Sequence, residues 1–218
     1  MKSIIPQPFL FRFSIPVRHV ARMPKKGRQL LDLPNDCLLP FLGELEQSRP
    51  IGQVRLAWNS AGLGVSLSVT GKKMPPVGRL DEPTESDGLQ VWFDTRNTQS
   101  IHRATRYCHH FCLLPSGGEK PKDQPAVIQL PIARAREEAP DDHLKKIRLC
   151  ADRQKEGYRL EAWLPSEVLH GFDHEANPRL GFYYHLRDAE LGEQFLTVGR
   201  EFPFPHDPSL WSTLELVG

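Results

Sequence analysis

Proline sets the first constraint on this chain. Twenty of its 218 residues are proline, against a usual share of about 5%. A proline inside a helix removes a backbone donor and clashes with the preceding turn, so long helices have little room. The residues between the prolines have strand character instead. Gly64-Val65-Ser66-Leu67-Ser68-Val69 alternates strictly, with Val65, Leu67 and Val69 on one face and serine on the other. It follows Val54-Arg55-Leu56-Ala57-Trp58 across the turn Asn59-Ser60-Ala61-Gly62, which predicts a hairpin. A second hairpin is predicted from 147–151 and 158–164, turning at Lys155-Glu156-Gly157. Further strands are expected at 9–13, 89–94, 106–114, 180–186 and 213–217. Helix is limited to a turn or two at 165–169, stopped by Gly171, and a short piece near 40–45. The Pro-rich stretch 115–142 is either a long surface excursion or the cover of a sheet edge. The expected fold is all-β: an antiparallel two-sheet β-sandwich, immunoglobulin-like or jelly-roll-like. Residues 1–218 are expected to form one domain, with 1–50 as N-terminal strand and extension and 51–218 as the sandwich.

Charge and hydropathy remove several function classes. Lys plus Arg is 28 and Asp plus Glu is 27, which is not the basic excess of a dedicated nucleic-acid binder. The one basic run, Arg18, Arg22, Lys25, Lys26 and Arg28, has no interleaved aromatics and reads as a solvated arm. No apolar run approaches the about 18 residues of a membrane-spanning helix. Pro6, Pro8 and Arg12 interrupt what would be a secretory apolar segment, so the expected compartment is cytoplasmic, or outside the cell if a leader has been trimmed. The four cysteines, Cys37, Cys108, Cys112 and Cys150, are expected to be reduced.

Three segments in order resemble the family 9 carbohydrate-binding modules and their DOMON-like relatives. They are 54–69; Ser86-Asp87-Gly88-Leu89-Gln90-Val91-Trp92-Phe93-Asp94; and Gly157-Tyr158-Arg159-Leu160-Glu161-Ala162-Trp163-Leu164-Pro165 followed by Leu180-Gly181-Phe182 through Arg187-Asp188. Asp207-Pro208-Ser209 before the last strand also fits. The resemblance implies a sandwich that binds sugar without hydrolysing it, between two tryptophans. Those tryptophans are missing here. Pro83 and Thr84 stand before the 86–94 strand, Pro205 and His206 before Asp207, and the strand's ligand-facing glutamate is Gln90. The resemblance also implies a possible structural calcium, for which Asp81, Glu82, Glu85, Asp87 and the pair Asp141-Asp142 are the available acids. Haem, bound by some relatives through Met or His, would have to draw on Met1, Met23 or Met74.

Strand parity gives a candidate site independent of the resemblance. If the apolar set of each strand faces the core, then Gln90, Trp92, His110, Glu161, Trp163, Tyr183, His185 and Arg187 face outward. Aromatic rings among planar polar groups suit a sugar, whose apolar faces stack while its hydroxyls hydrogen-bond. Trp92 and Trp163 are expected on one sheet face with the others around them. The competing expectation is that the 115–142 segment packs over that face and buries the tryptophans, leaving an interaction or structural domain without a ligand. Cys108-His109-His110-Phe111-Cys112 invites a metal, but in a strand Cys108 and Cys112 lie about 13 Å apart, too far to share one ion. His109 is instead expected in the core, hydrogen-bonded to backbone, while His102 could join His110. No catalytic motif is present, so the chain reads as a non-enzymatic binding module for a carbohydrate or polyol.

Overall fold

The computed structural model describes residues 13–27, 30–43, 49–118 and 124–218. Eleven strands carry the fold: β1 (Ser14–His19), β2 (Gly52–Asn59), β3 (Gly62–Thr70), β4 (Gly88–Asp94), β5 (Cys108–Leu114), β6 (Ala126–Gln129), β7 (Arg148–Gln154), β8 (Gly157–Pro165), β9 (Arg179–Asp188), β10 (Gly192–Phe195) and β11 (Ser212–Val217). Helix among the described residues is confined to single 3-10 turns such as Ser166–Val168, as the proline spacing requires. The chain is all-β, as expected.

Ten strands form one hydrogen-bonded path, β6-β5-β4-β9-β11-β1-β2-β3-β8-β7, and β10 pairs with β9. The pairing corrects the antiparallel expectation at one place. β1 runs parallel to both of its neighbours, β11 and β2. No hairpin ties β1 to either neighbour, so the route of the N-terminal segment sets its direction. Pro16, which hides this strand from a sequence reading, sits where β1 pairs with β11 alone. Its missing donor therefore costs no ladder bond. The expected strand at 9–13 falls almost entirely outside the described residues; of the expected helix at 40–45, residues 44–45 lie outside them and 42–43 take a 3-10 turn. The 115–142 stretch covers a sheet edge, because β6 adds to β5.

The two predicted hairpins form, β2·β3 and β7·β8, with parity as expected. Val65, Leu67, Leu89, Val91, Phe93, Phe111, Leu160, Ala162, Phe182 and Tyr184 share one buried cluster. A second, smaller cluster lies on the other side of β8. There Met23, Leu30, Leu31, Leu33 and Cys37 of the N-terminal segment pack on Ala57 and Trp163. Ala57, Gly64 and Trp163 stand in one cross-strand row. A Cβ on Gly64 would lie 3.0 Å from both Leu31 and Met23, so the missing side chain lets this arm settle on the sheet.

Candidate ligand pocket

β4, β5 and β9 are adjacent, and their register brings one set of predicted residues together. Trp92 stands opposite His110 and Tyr183, and Gln90 opposite His185. The register sets these side chains on the face opposite Val91, Phe93, Phe111 and Phe182, yet Trp92 and Tyr183 belong to the same continuous buried cluster. The face is not open. Trp92 is 1% exposed and Tyr183 0%. The cover comes from the loop between β10 and β11, not from 115–142. Phe204 stacks on Tyr183 at 4.4 Å and meets Trp92 edge-on at 5.5 Å, and Phe195 stacks on His185 at 4.5 Å. The Tyr183 hydroxyl donates to the Val198 carbonyl and holds this loop down.

Under the loop remains a pocket of about 250 Å³, lined by Thr84, Glu85, Gln90, Trp92, His110, His185, Arg200, Phe202, Phe204 and Pro205. Its floor is Trp92, which stacks on His110 at 4.1 Å. Its polar wall is a chain of hydrogen bonds. The Gln90 amide nitrogen donates to the Thr84 carbonyl at 3.3 Å and, at 3.2 Å, to His185 Nδ1. An amide nitrogen cannot accept, so His185 carries its proton on Nε2 and donates to Glu193 at 3.2 Å. His110 Nε2 in turn donates to the Gln90 carbonyl oxygen at 3.2 Å. Among the described residues, the Trp92 indole N–H is buried without a partner. At the rim Glu193 also accepts from Arg187 and Arg200, and Arg187 reaches Glu85 at 3.1 Å. Arg200 above all holds the Glu193 carboxyl down at about 2. Sequence reasoning missed Glu193, on the four-residue β10, and Arg200 and Phe204, which lie in irregular chain. The only signal was Phe202-Pro203-Phe204-Pro205, two aromatics each followed by a proline.

Glu161 and Trp163 are the correction. They lie on β8, across the fold from Trp92, and take no part in this pocket. Trp163 is 4% exposed because the N-terminal arm covers it. Glu161 accepts from the backbone N–H groups of Leu30 at 2.7 Å, Leu31 at 3.3 Å and Asp32 at 3.3 Å, and pairs with Arg159 at 2.6 Å. Parity was right that both leave the main core, but periodicity carries no information on what packs outside. Of the basic run, Arg18 on β1 pairs with Asp36 and Lys25 of the arm with Asp32, while Arg28 lies outside the described residues.

The pocket histidines are neutral. Burial takes His110 down to about 3 and His185 to about 4, the latter opposed by Glu193. His109 lies in the core against Phe111, as expected, with the backbone of His170 beside its ring. Burial takes it to about 4, only partly offset by the backbone of His170. Each binds fewer protons folded than unfolded between about pH 6.5 and 4, so native stability should fall as pH drops through that window. The expected loss is about 1–3 kcal/mol per histidine. Urea midpoints at pH 7 and 4.5 measure it, and His185→Gln should flatten the dependence. Equal slopes in wild type and variant would contradict this.

The expected metal residues are dispersed. Among the described residues, no group of three His, Cys, Asp or Glu side chains could hold a metal ion. Asp87 and Asp188 both grip the Lys72 ammonium, at 3.1 and 2.9 Å, all three buried. Glu82 pairs with Arg79 and Glu85 with Arg187. These acids do not fit a calcium site, because cationic side chains already occupy them. His102 bonds Asp207 at 3.0 Å instead of joining His110. Burial pushes both the Cys108 and Cys112 thiols up to about 12.

No family model and no curated protein sequence matches the chain. Solved structures do. A family 9 carbohydrate-binding module from Caldicellulosiruptor kristjanssonii in complex with cellotriose superposes with a TM-score of 0.63 at 15% identity, over 94% of each chain. The fold is that of a family 9 carbohydrate-binding module. The same organism's module in complex with glucose gives 0.64 at 15% identity, over 94% of this chain and 96% of that one. A candidate carbohydrate-binding protein from Bacteroides uniformis gives 0.58 at 13%, over 95% and 100%. Within this family 9 fold, Thr84 and Pro205, two of the residues found where the resemblance would put the clamp tryptophans, both line the pocket.

Proposed function

We propose that the protein is a non-catalytic module that binds a neutral sugar or polyol in this pocket. The observation that carries the reading is the pairing, in one cavity, of an aromatic floor and lid with an amide and two neutral imidazoles. Such a wall offers hydrogen bonds without net charge, and the rim cations are matched by Glu85 and Glu193. The volume suits one ring or a small polyol entering end-on, not a chain lying along an open face. The unpartnered Trp92 N–H gives a ligand hydroxyl an acceptor's place. Glucose and cellotriose, found in complex with the fold's neighbours, are the first probes.

One observation favours a second reading, an interaction or structural domain without a sugar ligand: Trp92 and Trp163 are both covered. Calorimetric titration with a panel of neutral and acidic mono- and oligosaccharides separates the two. The binding reading expects heat with at least one neutral sugar, weakened by about 1–3 kcal/mol in Gln90→Leu, which removes the hub of the polar wall. Silence across the panel would favour the second reading.

A further inference from the structure

The hydrogen-bonded path ends at two strands of different character. At one end β6 is four residues long and is bounded by Pro125 and Pro131, a blunted edge. At the other end β7, Arg148–Gln154, is seven residues long and contains no proline. Among the described residues it pairs with β8 alone. Leu149 and Ala151 on this strand are only partly buried, although they pack against the main core. The apolar interior therefore reaches the edge and stops there.

The backbone groups available on β7 follow from its turn. The hairpin closes on the pair Gln154·Gly157 across a two-residue turn. In such a hairpin the closing pair is hydrogen-bonded, and hydrogen-bonded pairs then alternate along the ladder. Gln154, Asp152, Cys150 and Arg148 thus direct their N–H and C=O groups at β8. Arg153, Ala151 and Leu149 direct theirs outward.

The geometry points to a second copy of this chain as the partner of that edge, joined β7 to β7 in antiparallel register about a two-fold axis at Cys150. This register places Leu149 opposite Ala151 of the other copy, and both carry outward backbone groups, so the ladder continues. It also sets Arg148 opposite Asp152 twice, once on each side of the axis. The strand Arg148-Leu149-Cys150-Ala151-Asp152 is therefore complementary to itself in charge and in apolar side chains. Moving the axis one residue to Ala151 keeps the backbone pattern but sets Arg148 against Gln154 and Leu149 against Arg153, losing both. Charges on an edge strand ordinarily discourage pairing; here their order makes one partner and one register favourable.

The register has a chemical signature. Cys150 faces its own copy in a non-hydrogen-bonded position, where Cα atoms approach to about 4.5 Å, within disulfide reach. Sedimentation of the full chain should show a dimer, and mild oxidation should give a covalent dimer that Cys150→Ser abolishes and Cys37→Ser leaves intact. Arg148→Asp should weaken the dimer about tenfold by setting two like-charge pairs across the axis, and adding Asp152→Arg should restore it. Circular dichroism of each variant checks the fold. A monomer at all concentrations would overturn the proposal. So would a dimer that cross-links without Cys150 or ignores both charge changes.

Discussion

Lys72→Ala should cost about 3–5 kcal/mol of stability, because it strands two buried carboxylates without their cation. The Lys72 side chain is 2% exposed, and those of its partners Asp87 and Asp188 are 1% and 0%. The pair does more than balance charge. Asp87 also accepts from the Val77 and Ala189 N–H groups, and Asp188 from those of Glu190 and Leu191. The ammonium therefore staples the chain leaving β3, the entry to β4 and the turn after β9. Denaturant unfolding measures the loss. Adding Asp188→Asn to Lys72→Ala should recover part of it, since one fewer charge is left bare. A loss below about 1 kcal/mol for Lys72→Ala alone would mean that water reaches these carboxylates.

Trp163→Ala should be about as damaging, at about 3–5 kcal/mol, while leaving the pocket untouched. Its ring packs on the N-terminal arm, alongside the Glu161 carboxylate that receives three arm N–H groups. Proteolysis should then cut the released arm first. Any sugar response that survives in Trp163→Ala after correction for unfolded protein supports separate roles for the two tryptophans. A response lost with Trp163 while the fold persists would put β8 back in the site.

The same contrast marks what the sequence could tell. Period-2 alternation in 64–69, 89–93 and 180–186 predicted strands and core faces correctly, because each strand has one purely apolar side. It assembled Gln90, Trp92, His110, Tyr183 and His185, because β4, β5 and β9 turn out to be neighbours. It could not separate Glu161 and Trp163 from them, since parity says which side a residue faces and not which strand lies beside it. The covering pieces, the arm at 20–39 and the loop at 196–205, have no period. Their contacts are set by tertiary packing alone. β1 was obscured by Pro16, tolerated only because one side of the strand is unpaired there.

The central claim is that a neutral sugar enters beside Trp92. The chain has four tryptophans, and their indole N–H groups give separate signals in a nitrogen–proton correlation spectrum. Three of the side chains sit elsewhere: Trp58 donates to Val217 and Trp211 to Phe204, while Trp163 lies under the arm. On titration with the neutral sugar that gives heat in calorimetry, the Trp92 signal should shift and saturate, because its unpartnered N–H gains an acceptor, while those of Trp58 and Trp163 stay fixed. A shift at Trp58 or Trp163 with Trp92 unmoved would contradict the account, and so would no shift with any sugar.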